Sequence, residues 1–270
     1  MNNVIQRTFT GIVFTSLIVF SLILHPLFFA GISLLINVFG LLEFKNIGNK
    51  LSLKTSLLWI VLNNIIFLIT VIFIYLQIPG GFVIPVLLLL VMLLILPIYQ
   101  KTGDPLSTIQ FSLFGSLYIT IPLIILNLIQ QFSLTEGIPY TLALFVIIWT
   151  NDTFAYLSGM AFGKHRLFEK ISPKKSWEGF IGGLIMGVIA ALVFNYFFPE
   201  TGVITWILFA VLSCIASVFG DFVESLIKRK ANMKDSGTIL PGHGGILDRI
   251  DSLLLASPVI YIYLFLINSM

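Results

Sequence analysis

The sequence predicts an all-α, polytopic integral membrane protein of about nine transmembrane helices with a cytoplasmic amino terminus. Three observations carry this. Of the 270 residues, 58% are hydrophobic and only 10% charged, and mean hydropathy is +1.05, whereas soluble domains are about a quarter charged. The apolar residues gather in stretches free of Asp, Glu, Lys and Arg, each long enough for a hydrocarbon core that takes about 20 residues per helix. All 15 Lys and Arg fall at alternate ends of those stretches. A chain so poor in charge cannot cover a water-facing surface. That excludes a soluble globular protein, a disordered chain and a nucleic-acid-binding module. The single cysteine, Cys214, excludes a disulfide framework and a cysteine-based zinc site.

Residues 8–42 hold two spans split by His25-Pro26, where His25 reads as an interfacial turn residue. Residues 55–100 hold two more, split by Pro79-Gly80-Gly81, and residues 105–135 hold one. Residues 137–163 hold a sixth, interrupted only by Asp152. Residues 179–199 and 201–220, parted by Pro199-Glu200, hold one each, and residues 252–270 hold the last. No small-residue cleavage pattern follows the first apolar run, as a signal peptide requires. No repeat of fixed period and no appended soluble domain is visible.

Nine spans put the amino end and the loops 43–54, 101–104, 164–178 and 228–250 on one side, with every Lys and Arg. Only Glu136 and Glu200 are charged on the other. The positive-inside rule makes the basic side cytoplasmic, and merging or adding one helix would scatter the basic residues over both faces. The expected organisation is a scaffold of about five spans in residues 1–135, serving dimerisation, and a catalytic region with a cytoplasm-facing polar site in residues 136–270. In the first half, Asn37, Asn63 and Asn64 are expected to bridge helices.

Three clusters in the second half bear chemistry. In Trp149-Thr150-Asn151-Asp152, the Asp152 carboxylate lies 12 residues before Lys164. That is roughly 18 Å along a continuous helix, where an unpaired ion is costly. The second is Ser172-Pro173-Lys174-Lys175-Ser176-Trp177-Glu178-Gly179. It combines two cations, an interfacial indole and, in Ser176, a helix N-cap whose neighbouring N–H groups favour phosphate. The third runs from Gly220 to Asp251. Asp221, Glu224 and Lys228, at i, i+3 and i+7, share one helical face, as do Asp248 and Asp251 at i, i+3. Carboxylates at the ends of two helices with cations between them suit Mg²⁺ bridging substrate phosphates. The Pro241-Gly242-His243-Gly244-Gly245 turn allows close backbone approach to a phosphate.

Ser225-Leu226-Ile227-Lys228-Arg229, then Lys234-Asp235-Ser236-Gly237, then His243-Gly244-Gly245-Ile246-Leu247-Asp248-Arg249-Ile250-Asp251 resembles the signature of the phosphatidate cytidylyltransferases, or CDP-diacylglycerol synthases. No fixed position is missing. Asp152 with Ala155 and Tyr156, the Pro173–Gly179 loop and Gly220-Asp221 are similar to further motifs of that family. The resemblance thus covers residues 149–251. Ser176 stands where many members have threonine and keeps the hydroxyl. The first five spans are similar only in length and hydropathy.

The resemblance implies a multi-pass enzyme of the cell (inner) membrane. It would transfer CMP from CTP to phosphatidic acid, giving CDP-diacylglycerol and pyrophosphate in phospholipid biosynthesis. It implies Mg²⁺, with a second cation left open, a homodimer, and a cavity open to cytoplasm and lipid. Asp221 and Asp248 match the family's metal-binding acids, and Asp251 is counted with them. Lys228, Lys234, His243 and Arg249 complete the expected catalytic set. Lys174, Lys175, Ser176, Arg229, Gly244, Gly245, Asp152, Glu224 and Asp235 form the expected substrate and phosphate contacts. No Gly-x-x-x-x-Gly-Lys-Ser/Thr loop occurs, so membrane-edge loops rather than a P-loop are expected to hold the nucleotide. Two alternatives stand beside this one. A related CTP-dependent enzyme of another lipid phosphate keeps the charge placement. An anion transporter would put ionisable groups near the midplane, whereas here nearly all lie at the cytoplasmic end.

Overall fold

The computed structural model describes residues 3–53, 55–95, 104–169, 171–239 and 244–268. Among the described residues the helices are α1 Asn3–Leu24, α2 Pro26–Lys50, α3 Leu57–Tyr75, α4 Val83–Ile95, α5 Pro105–Gly115 continuing through a π turn at Ser116–Thr120 into α6 Ile121–Glu136, α7 Tyr140–Phe162, α8 Trp177–Phe197, α9 Val203–Lys230 and α10 Leu247–Asn268. Among the described residues, seven helices are long and apolar enough to cross a bilayer. Two more apolar stretches, Thr8–Leu24 and Val83–Ile95, are shorter. The chain is an all-α polytopic membrane protein. One feature departs from the expected all-helical plan: β1 Arg166–Phe168 and β2 Ser172–Ser176 pair antiparallel, with Arg166 opposite Ser176 and Phe168 opposite Ser172.

Local chemistry sets the helix ends. His25 caps α2 by accepting from the Leu27 N–H at 3.2 Å, and Pro26 takes the first helical position, where a missing N–H is harmless. Ser56 caps α3 and Asp104 caps α5. The Ser107 hydroxyl and N–H both bond the Asp104 carboxylate and hold its pKa below the usual value. Ser176 caps α8 by accepting from the Gly179 N–H at 3.1 Å, as its sequence position predicts.

The chain divides into two compact units. The first is Met1–Gln131 with Lys230–Arg249; the second is Phe132–Arg229 with Ile250–Met270. The sequence reading divided the chain after residue 135. The compact units part after Gln131 and return the segment following α9 to the first.

The first unit is held by polar groups turned inward, as expected where apolar side chains face lipid. Asn37 donates to Asn64 at 2.9 Å, and the Thr120 hydroxyl lies 2.9 Å from Asn37 Oδ1 and 3.1 Å from Asn63 Oδ1. Asn127 donates to Ser33 and accepts from Tyr75. The three asparagines read as helix bridges do bridge helices. The π turn brings Ser116 to the Trp59 indole N–H, at 3.1 Å.

Unit one also contains a carboxylate the sequence reading passed over. Glu43 on α2 is only 2% exposed. Its Oε1 accepts from the Ile246 N–H at 2.9 Å, and its Oε2 from the Leu247 N–H and the Ser236 hydroxyl, both at 3.0 Å. These bonds tie the Lys230–Arg249 segment to α2.

The second unit is built on glycines. Gly179, Gly182, Gly183 and Gly187 of α8 lie against α7 and Cys214. A Cβ at Gly183 would come 2.6 Å from the Asn151 carbonyl oxygen, and one at Gly187 would come 2.5 Å from Cys214 Sγ. Backbone contact of this kind is how membrane helices pack without a hydrophobic drive between them. Gly183→Val is therefore expected to lower thermal stability in detergent by about 1–3 kcal/mol. Ile185→Val, on an exposed position of the same helix, should be neutral. Equal melting temperatures for the two variants would contradict the packing.

Candidate functional site

In unit two, α9 and α10 approach closely at one point. Gly220 has no side chain, and a Cβ there would run into the Asp251 carbonyl oxygen and come 3.0 Å from Ser252 Cα. That close passage brings Asp221, Glu224 and Asp251 together, with one carboxylate oxygen of each within 4.8 Å of the others. Asp221 and Glu224 reach the cluster because i and i+3 lie on one helical face.

Two lysines answer this negative charge. Lys228 Nζ is 2.5 Å from Glu224 Oε2, one helical turn along α9, and the pair is nearly buried at 12% and 2% exposure. Lys175 of β2 forms an ion pair with Asp221, and its ammonium lies over the Phe222 ring, 4.7 Å from the centroid. Phe168 of β1 meets the same ring edge-on at 5.0 Å, so the hairpin docks on α9 through an aromatic pair and a cation. The Ser225 hydroxyl is 3.4 Å from Asp221 Oδ1, and Asp251 Oδ1 accepts from the Ser252 N–H at 2.7 Å. Asp152 of α7 belongs to the same neighbourhood, interacting electrostatically with Lys175 and Asp221 and bonded by Asn151 and Ser252. The hairpin is fixed at its base by Glu178, which accepts from the Lys164 and His165 N–H groups and lies 2.6 Å from His165 Nδ1.

The donors of this cluster are all carboxylate oxygens. That chemistry fits a hard divalent cation such as Mg²⁺, Ca²⁺ or Mn²⁺ and suits softer metals poorly.

Asp248 lies in unit one, where its Oδ2 accepts from the Ser236 N–H at 2.9 Å, the Ser236 hydroxyl at 3.0 Å and the Gly245 N–H at 2.7 Å. Lys234, Asp235 and Arg249 of the same unit are exposed, as are Lys174 and Arg229 in unit two. Gly244 has φ +85, a conformation that favours glycine, and a Cβ there would meet Asp248 Oδ2 at 2.7 Å. The Ser176 hydroxyl is engaged as the cap of α8. His243 lies outside the described residues. The sequence grouped Asp221, Asp248 and Asp251 at a metal; the geometry within unit two gathers Asp221, Asp251 and Glu224. The sequence places Glu224 among the substrate and phosphate contacts; the structure puts it in the carboxylate cluster. Its i+3 spacing from Asp221 was the available signal.

Fold and cluster together define a membrane-embedded protein that gathers carboxylates and lysines where α9 passes α10. The chain belongs to the cytidylyltransferase family, whose model matches residues 5–267. It is similar to the phosphatidate cytidylyltransferase of Haemophilus influenzae, at 44% identity over 138 residues covering 49% of this chain and 48% of that protein. It is 50% identical over 133 residues to the phosphatidate cytidylyltransferase of Staphylococcus aureus strain COL, covering 48% of this chain and 50% of that protein. The Staphylococcus saprophyticus phosphatidate cytidylyltransferase is 47% identical over 133 residues, with the same coverage. The matched stretch spans about half the length of these curated relatives.

Because Gly220 sets the approach of α9 to α10, a cluster that takes up a divalent cation should hold it about tenfold or more weakly in Gly220→Ala, with all three carboxylates present. Mn²⁺ titration of the purified protein reads this directly. Unchanged affinity would mean that the close passage does not shape the cluster.

Proposed function

We propose that this chain is a phosphatidate cytidylyltransferase. It transfers CMP from CTP to phosphatidic acid, giving CDP-diacylglycerol and pyrophosphate. The observation that carries the reading is the gathering of Asp221, Glu224 and Asp251 between Lys175 and Lys228, in a chain of the cytidylyltransferase family. The printed names of the relatives support the substrates.

In this proposal a phosphate oxygen of the lipid attacks the α-phosphorus of CTP. The bond from that phosphorus to the bridging oxygen breaks, and pyrophosphate leaves with the electron pair. The attacking oxygen is already anionic at neutral pH, so no strong general base is needed. What must be overcome is repulsion: at an effective dielectric of about 20, unit charges 4 Å apart repel by roughly 4 kcal/mol. Asp221, Glu224 and Asp251 would hold Mg²⁺, which when bound neutralises phosphate charge and polarises the α-phosphorus. Lys175 and Lys228 hold phosphate oxygens and bear the charge of the leaving group. Lys174 and Arg229, exposed in the same unit, supply further phosphate contacts, and Asp152 orients Lys175. Catalysis is then positioning plus electrostatics. The positive-inside distribution supports an inner-membrane orientation with the amino terminus and the basic loops in the cytoplasm. A homodimer belongs to the same proposal.

Purified protein in mixed micelles with labelled CTP, phosphatidate and Mg²⁺ should form CDP-lipid and pyrophosphate in equal amounts, with none when an isoprenoid phosphate replaces phosphatidate. Absence of product with phosphatidate overturns the reading, and product from the isoprenoid phosphate alone assigns a different acceptor. Asp251→Asn should lower kcat/KM by about 100-fold or more while the protein still inserts and folds. Near-parent activity of that variant removes Asp251 from the site.

A further inference from the structure

The buried carboxylate of Glu43 is absorbed by none of the chemistry above, and its surroundings are unusual. Helix α10 begins at Leu247, so the residue before it, Ile246, stands at the N-cap with an apolar side chain. Ile246 offers no side-chain acceptor to the exposed N–H groups of the first turn, which Ser, Thr, Asp or Asn normally supply from that position. Glu43 accepts from the N–H groups at the very start of the helix instead: one oxygen takes the Ile246 N–H, and the other takes the Leu247 N–H. A carboxylate at a helix amino terminus is further favoured by the helix dipole.

The same Glu43 oxygen lies 3.0 Å from the Ser236 hydroxyl, and that hydroxyl lies 3.0 Å from Asp248 Oδ2. A serine hydroxyl has one proton, so two carboxylates share a single donor and the position of one governs the other. The glycines nearby are fitted to this arrangement. A Cβ at Gly237 would come 2.5 Å from Glu43 Oε1, and one at Gly245 would collide with the Ser236 hydroxyl and Glu43 Oε2. Residues 236–237 and 245–248 are therefore folded around the Glu43 side chain.

We infer that Glu43 is a positioning residue: through Ser236 and the first turn of α10 it sets the orientation of Asp248 and of the Gly244-Gly245 turn, and thereby the grip of this loop on the nucleotide phosphates. The last clause rests on the activity proposed above; the hold on the loop does not. Glutamine at 43 matches the shape but turns one acceptor into a donor that faces N–H groups, so the carboxylate itself is required.

The test compares the parent protein with Glu43→Gln, Ser236→Ala and the double variant. Hydrogen exchange at residues 245–247, read without substrate, should be about tenfold faster in Glu43→Gln and about threefold faster in Ser236→Ala, as expected for one or two lost hydrogen bonds. The KM for CTP should rise at least fivefold in Glu43→Gln, and the double variant should be little worse, because both changes act on one loop. Loss of folded protein would lower only the maximal rate. Parent-like exchange in Glu43→Gln, or a reduced maximal rate with unchanged KM, overturns the inference. Should Glu43→Gln fail to accumulate, parent-like exchange and KM in Ser236→Ala do the same. If the parent makes no CDP-lipid, the enzymatic reading fails, while the exchange rates still decide whether Glu43 holds the loop.

Discussion

A carboxylate drawn out of water must be given donors or cations, and this constraint organises both units of the molecule. The effective penalty for desolvating an ion is several kcal/mol, larger than most single contacts can offset. The chain meets it in two ways. Glu43 is surrounded by neutral donors, two backbone N–H groups and a hydroxyl, an arrangement that fixes its direction. Asp221 and Glu224 are instead paired with lysines. The first solution is rigid, because N–H groups on a helix end cannot move independently. The second is exchangeable, because a lysine on a flexible stem can be displaced by another cation.

Glycine makes both solutions geometrically possible. Gly220 lets two backbones touch where the acids must meet, and Gly237, Gly244 and Gly245 leave room for Glu43 and Asp248. The small-residue face of α8 against α7 keeps Asn151 and Asp152 in a fixed register with the hairpin-bearing end of the same unit. The Asn151 amide bonds Ser217 of α9 at 3.3 Å, so three helices are pinned within one turn of the acids. Each glycine is a place where any side chain would separate groups whose interaction falls off with distance, so packing and electrostatics rest on the same residues.

The helices were legible in the sequence because lipid imposes a length and a composition on each span, and both can be read locally. His25, Ser176 and the bridging asparagines were legible for a related reason: a polar residue at a helix end or inside an apolar run has few roles open to it. The hairpin was not. Its strands have three and five residues and include Pro173, and it owes its place to Phe168 and Lys175 meeting Phe222, a contact that no periodicity records. Glu43 was missed because its partners lie 193 to 204 residues away, and an acid at the end of an apolar stretch looks like a loop charge. That Glu224 joins Asp221 and Asp251 follows from its i, i+3 place on α9 and from the close passage of α9 and α10 at Gly220, an inter-helix register that the sequence does not record.

Charge arithmetic gives the cluster its direction. Carboxylates outnumber lysines in the cluster, a poor host for a phosphorylated reactant. One divalent cation on the carboxylate oxygens would add two positive charges there without moving a helix. The lysines cannot accomplish this themselves, because each is already engaged with an acid. When a cation takes the Asp221 oxygen, Lys175 loses its partner while Phe222 still lies beneath its ammonium, within cation–π range. The aromatic face would then keep the lysine close to the acids with its charge available to an incoming phosphate. The aromatic pair between Phe168 and Phe222 holds the hairpin against α9, and Lys175 with it, beside the Asp221 carboxylate that would take the cation.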